Sequence, residues 1–282
     1  MNKTYQLGLK INKVKNKILG ILIDDLYEIV GKKLRNMDID EFAIKQYAQL
    51  DISKLFLALI SDKPDIFKSY VAWQKDVFGR GNVKPEAIRN HMNVFRGTLE
   101  NHVEEELHPI LNEYMNYALE ALKEKPTSNT SLLDFDYVDK YSAEKYLELL
   151  LDKKQLEAVH YLSGMVYNKI KSVKNIYKQI IVPVQYEIGR LWQKGDITVA
   201  DEHYATETTK NVITVLRNYY PKRPVPGNVL SASLGGEMHD IGIRVVNEFL
   251  KLEGYNVYYL GINTPITSVV EFMQRYPVEV LA

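Results

Sequence analysis

The chain has 282 residues, of which 46% are hydrophobic and 26% charged, as in globular proteins of two domains. Lysine and arginine together number 36, as do aspartate and glutamate, so no net charge attracts nucleic acid or an anionic membrane. Cysteine is absent, which excludes disulfides and thiolate chemistry. There is no signal peptide and no apolar run long enough to span a bilayer, so we expect a soluble, cytoplasmic protein.

The first part of the chain is predicted to be an all-helical domain over residues 1–125, because apolar residues recur there every three or four positions. Breaks are expected at residues 36–40, 63–64 and 79–85. The region shows no phosphate loop, zinc spacing or winged-helix recognition pattern, so direct DNA binding is not expected. We interpret it as a dimerising or partner-binding sensor domain, which makes a homo-oligomer or a regulatory protein partner the expected assembly.

Three histidines of this region, His91, His102 and His108, lie in or beside predicted helices. The segment from residue 51 to about 122 faintly resembles the non-haem globin-like sensor domains of stress regulators, which raises the alternative of a haem ligand. We interpret these histidines instead as ordinary core or surface residues.

A small polar stretch follows, and residues 126–141 are predicted to be a linker. The next region, residues 142–220, is predicted to be a four-helix bundle, with Pro183 bending its third helix, Gly195 ending that helix and Thr198 capping the fourth. The four helices are expected at residues 142–151, 153–170, 173–194 and 199–219.

The last region, residues 221–282, changes to a pattern of short apolar strands alternating with helices. It predicts a Rossmann-like, flavodoxin-like parallel sheet, and the whole chain is therefore α plus α/β. Strands are expected at residues 228–234, 257–260 and 278–282, with helices at 243–252 and 267–274. The sheet stops at its third strand, which suggests that the chain is a fragment or that another chain covers that edge.

Two groups of residues carry the chemistry of this second half. The loop after the first strand holds Glu237-x-His239-Asp240-x-Gly242, and ligands of parallel sheets bind at this edge. Glu237 or Asp240 could accept the second ring N–H of a metal-bound His239. Alone, the loop is more typical of a surface histidine.

The second group is a tryptophan followed after nine residues by a glutamate and a histidine. Trp192 ends the third bundle helix, and Glu202 and His203 lie in the first turn of the fourth, so the three side chains are expected to converge across the corner. Taken separately, these residues are more typical of a core tryptophan and a solvated first turn. The two groups occur together, in order and at compatible spacing, and this combination favours a binding site over the ordinary interpretation of each group.

With these motifs, residues 142–282 resemble the cobalamin-binding module of methionine synthase, corrinoid methyltransfer proteins and cobalamin-dependent light-sensing regulators. The resemblance implies a four-helix cap over the upper face of a corrin and a histidine below it. Here His239 would be the lower axial cobalt ligand, and His203 a second candidate ligand on the upper face. The implied cofactor-binding residues are Trp192, Glu202, His203, Glu237, His239, Asp240 and Gly242.

Within that family, the tryptophan and the glutamate-histidine pair look most like the CarH-type photoreceptors. They predict a light-responsive regulator that signals through its helical domain, in keeping with photoreceptor and transcription-regulation roles, rather than an enzyme. Two alternatives stay open: a corrinoid carrier for methyl transfer, and a protein-interaction module whose cobalamin site is lost or incomplete. The sequence does not choose between adenosyl-, methyl- and hydroxocobalamin. Gln193 stands where some light sensors have a histidine, and the tail-binding motifs after the third strand lie beyond Ala282.

Overall fold

A computed structural model describes residues 2–34, 41–124, 130–223, 225–233, 237 and 239–282. The chain divides into two compact units, Met1–Asn129 and Thr130–Ala282. Within the described ranges, none of the helices combines the length and apolarity needed to cross a bilayer.

The first unit is all-helical, as predicted. Its helices begin at Pro64 and Pro85 where breaks were expected, because proline fits the first turn of a helix but not its interior. The break predicted at residues 36–40 lies outside the described residues. The helices are α1 (Lys3–Leu34), α2 (Glu41–Ser61), α3 (Pro64–Gly79), α4 (Pro85–Glu100) and α5 (His108–Leu119).

A polar cluster is buried in the core of this unit, where it joins four helices. His91 of α4 lies between two carboxylates: its Nδ1 pairs with Asp25 of α1, and its Nε2 is 2.9 Å from Oδ2 of Asp51 on α2. From α3, the Tyr70 hydroxyl and the Gln74 amide donate to the other Asp51 oxygen at 2.9 and 2.8 Å. Since carboxylates occupy both ring nitrogens, His91 serves as a core residue and not as a haem ligand.

The other two histidines of this unit make local contacts. His102 is exposed, and its ring lies 2.8 Å from the Thr98 carbonyl. His108 is half-buried, with Nε2 3.3 Å from the Val103 carbonyl. Their surroundings agree with the interpretation of structural histidines.

The second unit starts with the helical bundle. The stretch that precedes it packs onto the bundle, since Leu133 is buried in its core and Ser131 bonds Glu187, so residues 130–139 of the expected linker belong to this unit. The bundle helices are α6 (Lys140–Leu151), α7 (Gln155–Tyr167), α8 (Val173–Ile176), α9 (Val182–Lys194) and α10 (Val199–Leu216).

The third bundle helix is continuous from α8 to α9 but contains a π-helical turn, Tyr177–Ile181, which the sequence did not predict. Pro183 causes it, because a proline lacks the N–H that would bond the carbonyl four residues earlier and its ring crowds that carbonyl. The carbonyl in question belongs to Gln179, and it accepts instead from the backbone N–H of Asp139, at 3.2 Å. The turn thereby fixes the start of α6.

The sheet is parallel with the order β2-β1-β3, which confirms the predicted topology. β1 and β3 are shorter than expected, whereas β2 has the expected length and begins one residue earlier. Helix α11 begins at Ile241 rather than at residue 243, so Gly242 lies in the first turn of a helix. The elements are β1 (Asn228–Ser231), α11 (Ile241–Leu252), β2 (Asn256–Tyr259), α12 (Ile266–Arg275) and β3 (Val280–Leu281).

One end of the bundle is joined to the sheet region through a buried carboxylate. Glu248 of α11 is 1% exposed and accepts two hydrogen bonds from Arg217, at 2.9 and 2.7 Å. Tyr220 and Lys251 each donate to it at 2.8 Å. Burial of Glu248 raises its pKa, but these donors outweigh that effect and hold the pKa below its usual value.

The His91 cluster predicts a pH-dependent stability of the first unit. Burial alone lowers the pKa of His91, but Asp51 and Asp25 raise it to about 9. Because the folded-state pKa lies above the unfolded one, the stabilisation is complete below about pH 6.5 and is lost as pH rises through about 9. We expect a loss on the order of 3 kcal/mol across this window.

The measurement is urea unfolding from about pH 6 to about pH 10. The chain has two tryptophans, so a Trp192→Phe background leaves Trp73, which stacks on Tyr70, as the reporter of this unit. His91→Gln should remove the pH dependence in this window, whereas the exposed His102→Gln should keep it. A midpoint that stays constant between pH 6 and 9 in the unsubstituted cluster would contradict the assignment.

Candidate functional site

The candidate site lies at the carboxyl ends of the parallel strands. Ser231 ends β1 beside Tyr259, which ends β2. Beyond them, the Ser233 N–H donates to the Gly261 carbonyl at 3.1 Å, and Gly261 has a φ of 87°, which favours glycine. The two segments therefore stay paired just past the ends of β1 and β2, at the edge where the loop carrying His239 follows β1.

His239 projects from this loop with 91% of its side chain exposed. Its Nδ1 lies 2.7 Å from Oε1 of Glu237, and the same oxygen accepts the His239 backbone N–H at 2.8 Å. The carboxylate therefore fixes both the ring orientation and the tautomer with the proton on Nδ1. In that tautomer Nε2 is the nitrogen with a lone pair for a metal.

Asp240 makes different contacts from Glu237. The residue is 7% exposed, and its carboxylate accepts from Arg244 at 2.6 Å and pairs with Lys210 at 3.1 Å. Burial raises the pKa of Asp240, but these two cations outweigh it and hold the pKa below its usual range. Glu237, and not Asp240, is the partner of His239.

The Lys210–Asp240 pair brings one flank of α10 to the loop of His239. Residues four apart lie on the same side of a helix, so Lys210, Thr206 and Glu202 share this flank, with His203 beside them. From Lys210 to Glu202 the flank extends about 12 Å. Glu202 is half-buried, and its Oε2 is 3.4 Å from Nε2 of the exposed His203.

A tight corner sets where this flank begins. Gly195 ends α9 with a φ of 81°, and Thr198 and Asp201 form a capping box, each side chain accepting from the backbone N–H of the other. Lys153 and then Thr198 lower the pKa of Asp201 far below its usual value, so the carboxylate stays charged at the positive end of the helix. These observations confirm the predicted helix end and cap.

On α9, Gln185, Gly189 and Trp192 lie along one side of the helix, at spacings of four and three residues. All three are half-buried. A methyl group added to Gly189 would meet no atom within 4 Å, and the same holds for Gly242 at the start of α11. A side chain at either position would therefore meet no neighbouring atom.

The structure brings together some of the predicted site residues in pairs. Glu237 contacts His239, and Glu202 contacts His203, while the convergence of Trp192 with the latter pair stays a prediction. The sequence did not predict Lys210, Gln185 or Thr206 as residues of the candidate site. Only Thr206 and Lys210 had a signal, since they continue the four-residue spacing from Glu202.

Comparison with known proteins identifies the helical bundle. Residues 142–217 match the family described as the B12 binding domain. The cofactor expected from the sequence, cobalamin, is confirmed by this match. The bundle is hereafter called the cap.

Among curated proteins, methionine synthase of Mycobacterium leprae is 27% identical over 101 residues, or 33% of this chain and 8% of that protein. Dimethylamine corrinoid protein 1 of Methanosarcina acetivorans is 25% identical over 88 residues, or 30% of this chain and 41% of that protein. The chain thus spans less than half of either relative.

Two solved structures show weaker similarity. The methanol:cobalamin methyltransferase complex MtaBC from Methanosarcina barkeri is 21% identical with a TM-score of 0.32, covering 61% of this chain and 65% of that chain. A cobalamin-binding protein from Desulfitobacterium hafniense is 19% identical with a TM-score of 0.27, covering 49% and 66%.

The capping box predicts how firmly the cap corner is held. Thr198→Ala removes the side chain that accepts from the Asp201 N–H, and we expect the free energy of unfolding to fall by about 1 kcal/mol. Thr214→Ala is the control, because Thr214 is exposed within the same helix and bonds only to a carbonyl one turn back.

Both variants are compared by urea unfolding in a Trp73→Phe background, where Trp192 of the cap remains as the fluorophore. Equal midpoints for Thr198→Ala and Thr214→Ala would show that the box contributes nothing to the corner.

Proposed function

We propose that the second unit binds a corrinoid between the α10 flank and the carboxyl edge of the sheet, and that the chain is a corrinoid carrier for methyl transfer. The observation that carries the proposal is the Glu237–His239 pair, which presents an oriented, exposed imidazole at the edge where parallel sheets bind ligands.

The residues present fit such a group. A metal-bound histidine normally donates its second N–H to a carboxylate, and Glu237 supplies that carboxylate. Gly189 of α9 and Gly242 of α11 leave room that a side chain would fill. When bound, a corrinoid supplies a cobalt centre whose upper ligand is either a transferable methyl group or a group released by light.

At the other end of the flank from Lys210, Glu202 and His203 are the polar groups, and Trp192 is the large apolar side chain at the end of the neighbouring helix α9. A carboxylate and an imidazole there accept or donate hydrogen bonds to an upper ligand. The indole would exclude water from it. His203 remains the candidate for an upper ligand from the protein itself.

The carrier is preferred because the named relatives are a methionine synthase and a dimethylamine corrinoid protein. This preference reverses the ranking of light-responsive regulator over carrier that the spacing of Trp192 and Glu202-His203 alone predicts. A carrier implies a methyltransferase partner. The first unit, all-helical and without a DNA-binding pattern, would be a partner-binding region.

A light-responsive switch is the second candidate. The observation that favours it is the contact between Glu202 and His203 on the cap flank, 3.4 Å apart, in the arrangement that resembles the photoreceptors. In that case loss of the upper ligand would change contacts that hold the cap.

The first prediction from this proposal concerns the lower ligand. Purified protein should retain hydroxocobalamin through gel filtration, and His239→Ala should abolish retention, while His160→Ala, an exposed histidine of α7, should not. Glu237→Gln should weaken binding by roughly 10- to 100-fold, because the carboxylate orients the imidazole.

Electron paramagnetic resonance of the cob(II)alamin-loaded protein provides a direct check. Uniform ¹⁵N-histidine labelling should turn the nitrogen triplet of the axial ligand into a doublet. A triplet that persists after labelling would mean that the cofactor's own base, and not His239, binds the cobalt.

The two candidate functions are separated by a second experiment. A carrier should keep its cofactor through reduction and remethylation with iodomethane, and green light should leave its oligomeric state unchanged. A light-dependent change of molar mass in the adenosylcobalamin-loaded protein, measured by light scattering, would instead favour the switch.

A further inference from the structure

A chain of hydrogen bonds crosses the cap interior and ends at Glu202. We infer that Gln185 and Thr206 are positioning residues, which hold the Glu202 carboxylate against the upper side of the corrinoid site. The inference rests on the proposed corrinoid binding and deepens it, because it names the residues that set the properties of the upper ligand.

The series of hydrogen bonds starts at two buried hydroxyls. Tyr146 and Thr209 are fully buried, and their oxygens lie 3.0 Å apart. Thr209 donates its own proton to the Ala205 carbonyl at 2.9 Å, so Tyr146 must be the donor to Thr209. The remaining acceptor capacity of Thr209 faces Gln185.

Gln185 carries the connection from α10 to α9 and back. Its Nε2 donates to the Thr209 oxygen at 2.7 Å, which directs its Oε1 towards Thr206 at 3.4 Å. The orientation of the Gln185 amide is therefore fixed, because the Thr209 hydroxyl already donates its proton to Ala205 and can only accept from Gln185. Gln185 is a polar residue held in place on both sides.

Thr206 completes the chain. Its hydroxyl lies 3.0 Å from Oε1 of Glu202 and 3.4 Å from the Gln185 oxygen, and it has one proton. The shorter bond, to a charged carboxylate, is the stronger of the two. Thr206 thus shares its proton between two acceptors, more strongly with Oε1 of Glu202 and more weakly with Oε1 of Gln185, while Oε2 of Glu202 is directed to His203 at 3.4 Å.

The location of Glu202 gives this arrangement its consequence. The flank that carries Thr206 and Glu202 meets the His239 loop through Lys210 and Asp240. A carboxylate fixed on this flank places a negative charge beside the upper ligand, which disfavours an anion there. A carboxylate that is free to rotate towards water would disfavour an anionic upper ligand much less.

The experiment uses the full chain loaded with hydroxocobalamin and titrated with azide, which replaces water as upper ligand and is followed by visible absorption. Glu202→Gln should tighten azide binding on the order of fivefold, and Thr206→Val and Gln185→Leu should each give part of that gain. Thr206→Ser retains the hydroxyl and should restore the weaker binding. Thr214→Val, on an exposed position of α10, is the matched control.

A double substitution separates positioning from a general structural role. In a Glu202→Gln background, Thr206→Val should change azide binding no further, because its effect passes through the carboxylate. If Thr206→Val tightens azide binding equally with and without Glu202, or does not tighten it at all, the inference is overturned while the proposed corrinoid binding stands. If the unsubstituted chain fails to bind hydroxocobalamin, both proposals fall.

Should Gln185→Leu fold poorly, Thr206→Val decides the question, since it replaces a half-buried threonine with a side chain of the same shape. Thermal unfolding monitored by circular dichroism identifies variants that fold normally.

Discussion

Two buried carboxylates of α11 join the cap to the sheet, and the candidate site depends on them. Asp240 is held by Lys210, and Glu248 by Arg217, both on or just beyond α10. The partners are seven residues apart on one helix and eight on the other, in the same direction, so the helices run parallel in a fixed register. A buried carboxylate that lost its cation would be strongly destabilising, which makes other registers costly.

The same register explains why the loop of His239 meets one particular flank of the cap. Asp240 directly follows His239, so the ion pair that anchors Asp240 also places the imidazole near α10. Glu237 then orients the ring from the other side of the loop. The cap corner, fixed by Gly195 and Thr198, sets where Glu202 lies along that flank. Geometry at the site therefore follows from contacts made by its neighbours.

The sequence predicted much of this arrangement because local rules govern it. Proline at helix starts, glycine at a helix end and a capping box are all predictable from neighbouring residues. The parallel sheet was predictable from the alternation of strands and helices. The proposed role of His239 came from the family resemblance, because its position after a strand is by itself more typical of a surface histidine, and it stays a prediction. Boundaries were less accurate: α11 includes Gly242, although glycine is a poor helix former, because the turn begins at Asp240, which two cations hold.

Features that arise from packing between residues far apart in the sequence could not be predicted. The π-helical turn before Pro183 depends on the Asp139 N–H, forty-four positions earlier, which takes up the carbonyl that the proline leaves unpaired. Gln185 and Thr206 are ordinary residue types whose role emerges only where two helices meet. The buried pairing of His91 with Asp25 and Asp51 likewise needs three separate helices to converge.

Both candidate functions require the cap to move, and the two ion pairs differ in how they would resist it. A carrier must expose the upper ligand to a partner, and a switch must change its cap contacts when that ligand is lost. Arg217 holds Glu248 through two hydrogen bonds, at the start of the segment between α10 and β1 that we call the connector. Lys210 makes a single contact with Asp240 beside the site. Bidentate pairs are the stronger and more directional. The free energy holding the cap is therefore largest near the connector and smallest beside His239, where a bound corrinoid would act on it most directly.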